Sequence, residues 1–181
     1  MTIDTITIII LIMIGNLLTG GFIFAYIFKK QNIESKIAFV LAKLLQSLAW
    51  LFILLRDTGM PEIFTYLFAN IFMIAAVMFE GWAIIQLREL FKGKLKLAHF
   101  IFTSIIGLAM IITYFWFNTI NNRVFLFAIA SAVLVLAPPI VFLTRKDRSV
   151  LEIVYSIANL LAVVFFLVRS VNVYAEFYVL D

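Results

Sequence analysis

The stretch Leu41–Arg88, LAKLLQSLAWLFILLRDTGMPEIFTYLFANIFMIAAVMFEGWAIIQLR, decides the fold. Two apolar runs meet at a six-residue turn, Arg56–Pro61, and each carries one charge well inside it, Lys43 in the first and Glu80 in the second. In a water-soluble domain such runs would be core helices. Here the rest of the chain is as apolar as they are. Of 181 residues, 65% are hydrophobic and 13% charged, with a mean hydropathy of +1.15. Soluble domains have roughly 45–50% apolar and about 25% charged residues. A soluble fold of this size cannot hide so much apolar surface, so the hairpin, and the chain with it, belongs in lipid.

A membrane-spanning helix needs about 20 apolar residues to cross roughly 30 Å of hydrocarbon. Six segments meet or approach this: residues 5–28, 37–55, 63–87, 97–117, 124–143 and 150–168. They must be helical, because open strands leave backbone groups unsatisfied in lipid, and the alternating strands of a membrane barrel are absent from the sequence. The expected fold class is an all-α, six-transmembrane-helix bundle forming one polytopic domain. Short loops make successive helices antiparallel neighbours. The N-terminal run lacks a basic flank and a small-residue cleavage site, which reads as a retained first span rather than a signal peptide.

Basic residues set the expected orientation. Lys29, Lys30 and Lys36 lie in the first loop, Arg88, Lys92, Lys94 and Lys96 in the third, and Arg145, Lys146 and Arg148 in the fifth. The even loops and the C-terminal flank hold only Arg56, Arg123 and Arg169. Ten against three places the odd loops in the cytoplasm and the N-terminus outside. Residues 169–181 are too short to span. Two readings of them stay open: an interfacial tail anchored by Tyr174, Phe177 and Tyr178, or the point from which a seventh helix and a cytoplasmic domain are missing.

Lys43 lies seven residues past Lys36 and Glu80 eight residues before Arg88. At about 1.5 Å per residue, both sit about 10–12 Å inside the cytoplasmic edge. Their helices are antiparallel, so the depths match, and intramembrane charges tend to pair and face the bundle interior. Three readings stand: an ion pair or its water-bridged equivalent, a snorkelling Lys43 beside a protonated Glu80, and a proton- or ligand-handling site. Asn16, Gln46 and Asn70, with Ser47 and Asn159, lie at inner levels and are expected to hydrogen-bond between helices. Together Lys43, Glu80, Asn70, Asn16 and Gln46 form the candidate intramembrane polar network. Arg56, Arg123 and Arg169 recur at the outer ends of helices, either as interfacial anchors or as a ring that holds an anion or signal molecule. Gly15, Gly20, Gly21, Gly81 and Gly107 are expected at close helix contacts, His99 at the cytoplasmic entry of the fourth helix, and Pro138-Pro139 at a kink in the fifth.

Several chemistries lack their parts. The chain has no cysteine and one histidine, which argues against disulfides, a zinc site or bis-histidine haem. Neither a paired Asp-x-x-Asp cluster for magnesium, a membrane Ser/His couple nor an HExxH motif occurs. No catalytic residue, metal site or cofactor is expected, and the chain is not read as an enzyme. Although the net charge is +4, its basic residues sit in short loops that face anionic lipid rather than nucleic acid. The expected partners are the lipid bilayer and, as an open option, a second copy in a homodimer.

The hairpin resembles a multi-helix membrane sensor region found N-terminal to GGDEF diguanylate cyclase or histidine kinase domains in bacterial signalling proteins. The resemblance rests on Trp50, Leu54-Leu55, Arg56, Pro61, Asn70 and Gly81, with Arg169 closing a later helix; elsewhere it extends only to helix count. It implies a sensory or regulatory module of the bacterial cytoplasmic membrane, coupled to a cytoplasmic output domain that this sequence does not hold. A small transporter or permease is the alternative, although no internal repeat or broken helix supports it. An accessory subunit of a larger membrane complex is the other.

Overall fold

The computed structural model describes residues 3–25, 33–87, 90, 93–117 and 119–178. Lys29, Lys30, Arg88 and Lys92 lie outside the described residues, as do the side chains of Tyr174, Phe177 and Tyr178. Among the described residues the structure has helices and no strand: α1 (Ile3–Ala25), α2 (Ile33–Leu54), α3 (Ala69–Gln86), α4 (Gly93–Trp116), α5 (Ile120–Leu143) and α6 (Val150–Tyr178). All six are long and apolar enough to cross a membrane. Large apolar side chains such as Leu11, Phe22, Leu97, Leu151 and Leu161 point outward along them, the arrangement lipid contact requires. The protein is an all-α, multi-pass membrane protein.

The chain forms two compact units, dividing after Ile101. In the first, α1 packs on α2 and α2 on α3. Small residues make the α2–α3 seam: Ala38, Ala42 and Ala49 on one side and Ala69, Ala76 and Ala83 on the other, all at most 1% exposed. Without large side chains between them the backbones approach closely, the usual route to helix association in lipid. Ser35 Oγ donates to the Ala83 carbonyl across this seam at 2.6 Å. On the other side of α2, a Cβ at Gly20 would stand 3.3 Å from Lys43 Cβ, and Ser47 Oγ donates to the Met13 carbonyl at 3.2 Å.

The turn of the hairpin is built locally. A 3-10 turn, Leu55–Thr58, follows α2, closed by Thr58 Oγ1 on the Leu55 carbonyl at 2.7 Å. Gly59 then takes φ +83°, ψ 9°, which a side chain would strain. Next, the Pro61 carbonyl accepts from both Phe64 N and Thr65 N at 3.0 and 3.5 Å, and residues Ile63–Phe68 wind as a π-helix before α3 proper begins. Phe64, Phe68 and Phe72 stack down this face, with Phe52 of α2 at 6.0 and 5.8 Å from the first and last.

In the second unit α5 packs on α6. Ala128, Ala130, Ser131 and Ala132 are buried on α5, and Phe142 meets Tyr155 edge-on at 6.5 Å. Thr119 caps α5 by accepting from Asn122 N at 3.2 Å. The helix continues through Pro138 and Pro139 to Leu143, where Arg148 Nη1 donates to the Leu143 carbonyl at 2.8 Å. Arg145 Nε donates to Asp147 at 2.9 Å, and this bond holds the guanidinium above its usual pKa. A capping box opens α6: Ser149 N donates to Glu152 Oε2 at 2.6 Å, and Glu152 N to Ser149 Oγ at 3.3 Å. α6 runs on through residues 169–178, which the hydropathy reading set apart as a tail. Its 29 residues reach about 43 Å, more than the roughly 30 Å of hydrocarbon demands, leaving length for tilt or for interfacial turns.

Three expectations need correction. At Gly15, Gly21 and Gly107 an added Cβ would meet no neighbouring atom within 4 Å; of the three glycines in α1, only Gly20 lies against a neighbouring helix. Asn159 Nδ2 donates to the Tyr155 carbonyl of its own helix at 2.9 Å, the back-bond that lets a polar side chain satisfy itself locally. The Asn16 and Asn70 side chains are half-buried and make no hydrogen bond to another described residue.

Candidate functional site

Lys43 and Glu80 face each other across the α2–α3 seam. Lys43 Nζ lies 3.2 Å from Glu80 Oε1 and 3.3 Å from Oε2, and donates to Gln46 Oε1 at 3.0 Å. Gln46 Nε2 in turn donates to Glu80 Oε2 at 2.7 Å. The two side chains of the pair are 13% and 28% exposed. Lys43 and Gln46 are three apart and so share a helix face, which turns both toward α3. The Lys43 ammonium has three N–H donors and here meets three acceptors. The Phe39 ring, 5.1 Å from Nζ, lies against the remaining side. The result is a closed, net-neutral triad. The contacts are those of an ion pair, with Gln46 bridging the two charges. Asn70 and Asn16 do not join it.

A second polar group holds the end of this unit. Glu34, in the first turn of α2, accepts from Gln86 Nε2 at 3.0 Å and stands 3.7 Å from Lys96 Nζ. The Lys96 ammonium also lies 4.6 Å above the Trp82 ring. Gln86 Oε1 is buried with no partner among the described residues. His99 is not at the entry of α4. It is 7% exposed, with Nε2 3.3 Å from the Met78 carbonyl. The cause is the start of α4 at Gly93, four residues before the hydropathy estimate, which carries His99 a further turn into the span.

No family model, curated protein or solved structure matches the chain.

Arg56 stacks over Tyr66 at 4.2 Å, tying the 3-10 turn to the π-helical segment within the first unit. Arg123 is half-buried near the start of α5, and Arg169 is exposed on α6; both belong to the second unit. Among the described residues, no three His, Asp or Glu side chains gather in a metal-binding group. Sequence reasoning missed the Glu34–Gln86–Lys96 group, although Glu34 and Lys96 flank the first and third loops, which the charge count assigns to one side. It also missed the Ser149–Glu152 box, which the S-x-x-E spacing marks in the sequence.

Proposed function

We propose that this protein is a membrane sensory or regulatory module whose helices α2 and α3 have two packings, with the Lys43–Gln46–Glu80 triad favouring one of them. A signal that reaches the bundle from outside or from within the membrane shifts the balance, and an output domain beyond this sequence reads the shift. The single observation that carries this reading is the triad. An ion pair held inside a helix bundle is weak evidence for stability alone, since apolar side chains of similar volume often serve as well, and its best-attested use is to fix register or to switch. Resemblance of the hairpin to bacterial sensor regions supports the same reading.

The test uses the absence of cysteine. Leu44→Cys and Leu87→Cys, both at exposed positions, place spin labels on α2 and just past α3. Distances are then measured in lipid with and without Glu80→Gln. A second packing populated at about 1% rises to about half if the variant removes about 2.7 kcal/mol from the dominant one. Two distances whose weights move with Glu80→Gln support switching. One unmoved distance makes the triad a static brace and refutes the proposal.

A further inference from the structure

We propose that the face of α1 carrying Ile12, Asn16, Thr19 and Ile23 docks a second copy of this chain, α1 against α1, with the two Asn16 carboxamides hydrogen-bonded to each other. Asn16 is the group that calls for a partner. It lies 13 residues past Ile3 and nine before Ala25, about 20 and 14 Å from the two ends of the helix. Its side chain has two N–H donors and a carbonyl acceptor, is half-buried, and makes no hydrogen bond to another described residue. Acyl chains offer neither donor nor acceptor at that depth, and an amide there is met by another helix.

The packing of α1 leaves room for that contact. The row of α1 that meets α2 runs through Met13, whose carbonyl accepts from Ser47, and Gly20, which stands against Lys43. Ile12, Asn16, Thr19 and Ile23 follow one another at steps of four, three and four, so they share one face beside that row. Ile12 is 38% exposed and Thr19 is exposed as well. The Thr19 hydroxyl donates to the Gly15 carbonyl at 2.7 Å, so it adds no second unmet polar group. Alternating steps of four and three form the seam of a left-handed helix pair, where a single asparagine fixes register and partner number. Copies inserted with one orientation are related by a two-fold axis along the membrane normal, which sets each residue at the depth of its counterpart. Asn16 then meets Asn16, and a carboxamide complements itself, donor to acceptor in both directions. A partner of other sequence needs a polar group at that same level.

Because the chain has no cysteine, any disulfide formed by a single-cysteine variant joins two copies. Ile12→Cys and Thr19→Cys are oxidised with copper phenanthroline in the full chain, reconstituted in phosphatidylcholine vesicles. Ile14→Cys and Gly21→Cys, exposed on the opposite side of α1, are the controls. Cross-linked dimer is expected from the first pair and not from the second, since a disulfide needs Cβ atoms about 3.5–4.5 Å apart. Association of the cysteine-free chain, carrying a C-terminal fluorophore, is read by single-molecule photobleaching over a range of protein-to-lipid ratios. Asn16→Leu weakens it about three- to thirtyfold, the worth of one interhelical hydrogen bond in lipid, and Asn16→Gln restores it. Far-UV circular dichroism confirms that each variant is folded. Cross-linking of both faces alike, or of neither, overturns the interface, and so do single bleaching steps at every ratio. Unchanged association in Asn16→Leu overturns the role of the amide.

Discussion

Replacing Glu80 by Leu asks most of the structure. Three of the four hydrogen bonds in the triad end on the Glu80 carboxylate, so the variant leaves the Lys43 ammonium with Gln46 alone and strips the Gln46 amide of its acceptor. Breaking a fully buried pair by removing one partner costs about 3–5 kcal/mol. Here the cost is lower. The side chains keep 13% and 28% exposure, so neither charge is fully removed from its surroundings. We expect about 2–3 kcal/mol, equivalent to a roughly 30- to 150-fold shift in the folding equilibrium. The companion variant, Lys43→Met with Glu80→Leu, removes both charges together and should lie near wild type, or up to about 1–4 kcal/mol above it. The assay is reversible unfolding by sodium dodecyl sulfate titrated into dodecyl maltoside micelles, followed by circular dichroism, with the coupling energy taken from the double-mutant cycle. If Glu80→Leu is neutral, or the double variant loses the sum of the single losses, the reasoning from the triad is wrong.

Other variants probe the helix contacts in the same assay. Gly20→Leu forces a side chain where a Cβ alone reaches 3.3 Å from Lys43 Cβ, and should cost about 1–3 kcal/mol; Gly15→Leu and Gly21→Leu, in open space, should leave the midpoint unmoved. Ser35→Ala removes the 2.6 Å bond to the Ala83 carbonyl and should cost about 0.6–2 kcal/mol. Ser149→Ala opens the capping box of α6, with an expected loss of about 0.5–2 kcal/mol and faster amide exchange confined to the first turn of that helix.

Much of the fold was legible because lipid permits so few answers. Hydropathy and length marked all six helices, since nothing but a helix satisfies its backbone there. The pairing of Lys43 with Glu80 was legible for a related reason: antiparallel helices of known rise convert residue counts into depth. What counting cannot supply is azimuth. Gln46 lies within one turn of Lys43 on α2, yet that it turns toward Glu80 depends on how α2 is rotated against α3. His99 was misplaced because a helix start is set by local turn geometry, here Gly93 at φ +53°, and not by where apolarity begins. The π-helical segment left no trace in composition, because IFTYLF winds as readily into an α-helix.

That segment gives the hairpin an asymmetry toward loss of a residue. A π turn is an α-helix with one residue in excess, so Ile63–Phe68 holds slack that the rest of α3 lacks. Deleting one residue there lets the helix relax to α while Glu80 keeps its bearing on Lys43. Removing one between Ala69 and Phe79 swings everything upstream by about 100° relative to Glu80, tearing Phe64 and Tyr66 from Phe52 and Arg56. The gene can be shortened by a codon at the mouth of the hairpin and nowhere deeper.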